Sequence, residues 1–132
     1  MPIARLIWGG YCVALTVLLL TPNPLRLLGI QRLPGPPGGC GIHFVLFTVM
    51  TFLAYASRWP IRGAVLAGVL IGYGILTETL QRFFPPRTVE LLDYVENVVG
   101  VLVGAAIWWA FQRQQIARKA WQDRLEASPE AE

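Results

Sequence analysis

Four apolar stretches divide the chain, at about residues 3–20, 42–57, 61–80 and 91–111. Each approaches the ~20 residues that an α-helix needs to cross a hydrocarbon core. None carries the continuous polar stripe that water demands of a surface helix. The first is interrupted only by Arg5, whose long side chain can snorkel to the interface. Thr21-Pro22-Asn23-Pro24 follows it instead of a small-residue cleavage site, so it reads as a retained helix and not a signal peptide. The fourth closes on Trp108-Trp109, the amphipathic aromatics of a membrane interface. The pattern predicts an all-α integral membrane protein: a four-transmembrane-helix bundle over residues 1–111, then a cytoplasmic tail over residues 112–132.

Between the first two spans lies one long loop, residues 21–41, holding Pro22, Pro24, Pro34, Pro36 and Pro37 with Gly29, Gly35, Gly38, Gly39 and Gly41. Such a run neither propagates a helix nor pairs as a central strand. Its middle, Leu25 to Leu33, is either a segment lying along the membrane surface or an irregular connector. After the fourth span, Gln112 to Ala127 reads as a short basic helix with Ala117, Trp121 and Leu125 four apart. It either rests on anionic lipid or stays solvated and enforces topology. Ser128-Pro129 and the acidic residues after it read as a frayed end.

Composition supports the bilayer. Hydrophobic residues make up 55% of the chain and charged residues 14%, against about 25% charged in soluble domains. The net charge of +3 does not point to nucleic acid, because the basic residues sit between and beyond apolar spans and form no patch interleaved with stacking aromatics. They speak to topology instead. With four spans, one side carries Arg5, Arg58, Arg62, Arg113, Arg118, Lys119 and Arg124, and the other Arg26, Arg32, Arg82 and Arg87. The positive-inside rule then puts both termini in the cytoplasm. Cys12 falls within the first span and Cys40 just before the second, at different depths, so no disulfide is expected.

The informative residues are the polar ones at span ends, where burial is costly unless a group is paired or functional. His43 opens the second span, Glu78 and Gln81 close the third, and Asp93, Glu96 and Asn97 open the fourth. All of these ends share the non-cytoplasmic side. At about 100° per residue, Gly74, Glu78 and Gln81 lie on one stripe, and Asp93, Asn97, Gly100 and Gly104 on another. The four-residue spacing of Gly100 and Gly104 lets another helix backbone approach closely. The hairpin Phe83-Phe84-Pro85-Pro86-Arg87 would bring Glu78 and Gln81 towards Asp93 and Asn97, with Arg87 as a counter-charge. Duller roles exist for each: helix packing for the glycines, a favourable first-turn position for Asp93, and a structural ion pair for Glu78 with Arg87.

Read as a series, Glu78-x-x-Gln81, then Phe84-Pro85-Pro86-Arg87, then Asp93-x-x-x-Asn97-x-x-Gly100-x-x-x-Gly104, with His43-Phe44 upstream, resembles the VanZ-like family. The resemblance covers about residues 43 to 104. It implies a small polytopic membrane protein of the bacterial cell envelope, in the cytoplasmic (inner) membrane, named for a member that assists glycopeptide resistance. It implies His43, Glu78, Gln81, Arg87, Asp93 and Asn97 as the site, and no known reaction. Members often carry an Asp-Lys pair shortly before the histidine, where this chain has Gly39 and Cys40.

Two classes of function follow. In the first, the polar face binds a membrane lipid, a lipid-linked glycan or another cell-wall component, with Arg87 on a phosphate and Gln81 and Asn97 on hydroxyls or amides. An enzymatic version makes Glu78 or Asp93 a general base, with His43. His43 with the two carboxylates could also hold a divalent ion, although the spacing demands no metal and no cofactor is expected. In the second class the chain is a structural or accessory subunit, docking its glycine and aromatic surfaces on a larger membrane protein complex.

Overall fold

A computed structural model of the protein describes residues 2–21, 41–83 and 91–127. Among these, all regular structure is helical: α1 (Pro2–Leu20), α2 (Ile42–Ala56), α3 (Gly63–Gln81) and α4 (Leu91–Ala127). Residues 22–40 of the long loop, with Gly39 and Cys40, residues 84–90 of the hairpin, with Arg87, and residues 128–132 lie outside the described residues.

Hydrophobicity is arranged inside out relative to a soluble bundle. Leu6 is 74% exposed, Val13 66%, Val69 58% and Leu102 55%, on four-sided apolar helices. In water such an outer surface would aggregate; in lipid it costs nothing, and the helices satisfy their own backbone hydrogen bonds. α1, α3 and the first half of α4 are each long and apolar enough to cross a membrane. α2 is apolar too, but at 15 residues it extends only about 22 Å. It matches the expected 42–57 span to within one residue, Ser57 standing at its C-cap. Ser57 Oγ donates to Leu53 O at 2.8 Å and Ala4 O at 3.0 Å.

α2 is the central element, touching α1, α3 and α4. Its buried residues, Phe47, Met50, Thr51 and Ala54, recur every three or four positions and face a core completed by Leu15, Leu19, Leu66, Leu70 and Val101. Against α4 the approach is backbone to backbone. A Cβ added at Gly100 would stand 2.7 Å from the Phe44 carbonyl oxygen, and one at Gly104 2.6 Å from that of Thr48. The small-residue face is thus filled by α2 of the same chain.

Two polar clamps tie α1 to α3 and α2. Thr16 Oγ1 and Tyr73 OH lie 2.7 Å apart, and Tyr11 OH donates to Leu46 O at 2.9 Å. At the other end of α1, Arg5 does more than reach the interface. It donates to the Ser57 and Arg58 carbonyls at 3.4 and 3.3 Å, covering acceptors left over at the C-terminus of α2. Its guanidinium lies 4.8 Å from the ring centre of Trp59, which in turn meets Trp8 edge to face. Arg58 turns the chain with φ 47°, the left-handed conformation common just past a helix end.

α4 differs from the expected span plus separate short helix. It runs unbroken for 37 residues, about 55 Å, from the apolar segment through Gln112 into the charged segment. No glycine or proline interrupts residues 105–127, and the residues there are good helix formers. Past Trp108, which packs on Phe52, the side chains are exposed as far as Glu126.

Candidate functional site

Three helix ends meet at the end of the bundle opposite Arg5 and Trp59. The first turn of α2 supplies His43, the last turns of α3 supply Gly74, Glu78 and Gln81, and the first turns of α4 supply Asp93, Glu96 and Asn97. The stripes set by helical periodicity decide what meets. Glu78, one turn after Gly74, points between α2 and α4 and is 0% exposed. Asn97, 2% exposed, faces it from α4.

Asn97 is the hub. Its Nδ2 donates to Glu78 Oε1 and to Gly74 O, both at 3.4 Å, and its Oδ1 lies 3.3 Å from His43 Nδ1. His43 Nδ1 is also 2.9 Å from Glu78 Oε1, so a ring N–H placed there donates to both oxygens. The approach of α4 to α3 that this needs is possible because position 74 is glycine. A Cβ there would stand 3.1 Å from that of Asn97 and 3.0 Å from Phe47 Cε1. Asp93, half-buried, completes the group: one ligand-type atom each of His43, Glu78 and Asp93 lies within 4.8 Å of the others.

The cluster is over-supplied with polar atoms for a purely structural lock. Among the described residues, Glu78 Oε2 is buried with no hydrogen-bond partner, as is Nε2 of Gln81, one turn further along the same face of α3 and 3% exposed. Buried polar groups left unmatched cost about 1–3 kcal/mol each. What the arrangement offers chemically is two carboxylates, one imidazole and two primary amides in a shielded place at one end of a membrane bundle. It can accept protons, coordinate a hard cation, or hydrogen-bond a polar group.

Of the residues singled out from the sequence, the fold brings together His43, Glu78, Asp93, Asn97 and Gly74, with Gln81 adjoining. Gly100 and Gly104 lie further down α4 and serve its contact with α2. Arg87 is outside the described residues. Sequence reasoning gave Glu96 no role; its Oε1 accepts the Gly41 N–H at 2.8 Å. Gly41 has φ 92° and precedes α2, so Glu96 satisfies an amide at a helix N-terminus, where a negative charge is also favoured. The signal was available: a third acidic position on the first turns of α4 facing a glycine that must start a helix.

The hub role predicts a specific result. Asn97→Leu keeps the volume and removes the amide's contacts to three groups. Interhelical hydrogen bonds in membranes are worth about 0.6 kcal/mol on average and at most about 1.7. The variant is therefore expected to fold and to melt only a few degrees lower, as checked by a thermal ramp in detergent with size-exclusion readout.

A sequence model of the family described as VanZ/LLP1 matches residues 10–112, more than half of the chain and all of the cluster. No curated protein and no solved structure matches it.

Proposed function

The chain belongs to the VanZ/LLP1 family, and on that premise we propose that it is an envelope membrane protein whose polar cluster binds the headgroup of a membrane lipid, a lipid-linked glycan or a related cell-wall component. The observation that carries this reading is a pair of buried polar atoms, Glu78 Oε2 and Gln81 Nε2, with no partner among the described residues, beside the His43–Asn97 network. A ligand carrying hydroxyls or amides would give each a partner, and half-buried His43 and Asp93 form the side by which it would enter.

In this reading four segments cross the membrane, both termini are cytoplasmic by the distribution of Arg and Lys, and the cluster faces the non-cytoplasmic side. Arg87, in the hairpin between α3 and α4, would meet a phosphate. The accessory role in glycopeptide resistance carried by the family's name belongs to the same proposal. Proton transfer by Glu78 or Asp93 would follow binding and is not required by it. A subunit role remains the competing reading. It would have to use surfaces other than Gly100 and Gly104, which pack on α2.

Gln81→Leu tests the proposal. The substitution replaces an unmatched buried amide by an apolar side chain of similar length, so folded yield is expected to be unchanged or higher. Native mass spectrometry of protein extracted gently from membranes should show a lipid or glycolipid on the wild type and little on the variant. A stoichiometric protein partner retained by both forms, with no lipid, would decide for the subunit role.

A further inference from the structure

The same cluster has the donor set of a cation site. We propose that His43, Glu78 and Asp93 bind a divalent first-row transition ion of the manganese-to-zinc type, with the Asn97 side-chain oxygen alongside. Three helices, separated by as many as 50 residues in the chain (His43 to Asp93), deliver one nitrogen and two carboxylate ligands to a common place.

Geometry favours this over a coincidental gathering of charge. Ligands at bonds of about 2.1 Å lie about 3–3.5 Å from one another around a metal. His43 Nδ1 already stands 2.9 Å from Glu78 Oε1 and 3.3 Å from Asn97 Oδ1. One ligand atom each of His43, Glu78 and half-buried Asp93 falls within 4.8 Å of the others. An independent observation points the same way. Glu78 is 0% exposed, yet its second oxygen has no partner among the described residues. A buried carboxylate oxygen is expensive to leave unmatched, more so in a bilayer, and a cation beside it removes that cost.

The chemistry of the set narrows the ion. Imidazole nitrogen suits zinc, iron, nickel and copper, whereas carboxylate and amide oxygens suit magnesium, calcium and manganese; a mixed set selects ions acceptable to both. The surroundings supply the orientation that such sites need. Asn97 holds Glu78 Oε1 from one side, and its own position is fixed by Gly74 O. The site stands on this geometry and does not depend on the headgroup reading, although a bound cation would also let a carboxylate-lined face attract a phosphate.

The test uses the full-length protein, stripped with a chelator and titrated with Mn²⁺ alone, without lipid. Equilibrium dialysis is expected to give saturable binding of one Mn²⁺ per chain. Pulsed electron paramagnetic resonance should show nitrogen coupling from the His43 ring. Glu78→Gln and Asp93→Asn should each weaken binding by more than the about 10- to 100-fold cost of losing an outer-shell partner, and His43→Gln should abolish the nitrogen coupling. Absence of saturable binding, binding equal in all variants, or bound Mn²⁺ without nitrogen coupling would each overturn the proposal. Should a variant fail to fold, the nitrogen coupling of the wild type alone decides. Loss of lipid in Gln81→Leu with intact Mn²⁺ binding, or the converse, separates this site from the headgroup reading.

Discussion

Gly100→Ala and Gly104→Ala, single methyl additions, are each expected to abolish most of the folded protein. At these two positions the new Cβ would meet backbone, 2.7 Å from Phe44 O and 2.6 Å from Thr48 O, with Phe47 Cβ at 2.9 Å and Thr51 Cβ at 2.8 Å behind them. Carbonyl oxygens of a helix cannot swing aside as a side-chain tip can, so α2 and α4 must separate. That separation breaks the most extensive helix contact in the molecule and pulls His43 from Asn97. Overpacking typically costs about 1–3 kcal/mol; two sites aimed at backbone belong at or above the upper end. Gly72→Ala is the control, since nothing lies within 4 Å of the added carbon, and in a helix alanine is favoured over glycine by about 1 kcal/mol. Fluorescence-detected size exclusion of detergent extracts should show a monodisperse peak for Gly72→Ala and aggregate for the other two. Normal peaks for Gly100→Ala and Gly104→Ala would mean that the two helices do not touch as described.

That result also bears on how much the sequence could tell. Helical periodicity put Gly100 and Gly104 on a face needing close approach, but it names a face and not a neighbour. Their neighbour, α2, begins more than forty residues earlier in the chain, so a docking surface for another protein was an equal reading until the fold was seen. The apolar runs located the helices within a few residues, because in lipid the solvent itself enforces hydrophobicity over a fixed length. One feature escaped that logic: α4 continues without a break past Phe111, because residues such as Gln112, Ala117 and Lys119 favour helix as much in water as in lipid. In the site, the sequence contained every member of the cluster, since charged and amide residues are conspicuous against apolar spans. Asn97 as the hub was not legible. Its partners Gly74 O and Glu78 lie across a helix interface, and a backbone carbonyl carries no signal in a sequence.

Glu78→Gln is expected to have the largest effect on binding with the smallest effect on fold. The amide keeps the shape of the carboxylate and can still accept from His43 Nδ1 through its oxygen. It also removes a buried negative charge whose Oε2 has no partner among the described residues, and neutralising such a group relieves the cost of burying a charge. At the same time it deletes the anionic ligand from the cation site and an acceptor from the headgroup site. Residues that serve function at the expense of stability behave in this way. A structural ion pair behaves oppositely: loss of one buried partner costs about 3–5 kcal/mol.

The central claim is that this buried cluster exists to bind and not to hold the helices together, and melting of Glu78→Gln beside the wild type tests it most directly. Both proteins are stripped of metal and lipid in the same detergent, so that no bound ligand stabilises either one. The account predicts that the variant melts within about 1 kcal/mol of the wild type, or above it, the scale of a single membrane hydrogen bond. A loss equal to the about 3–5 kcal/mol of a broken buried ion pair would contradict it and make the cluster a structural lock.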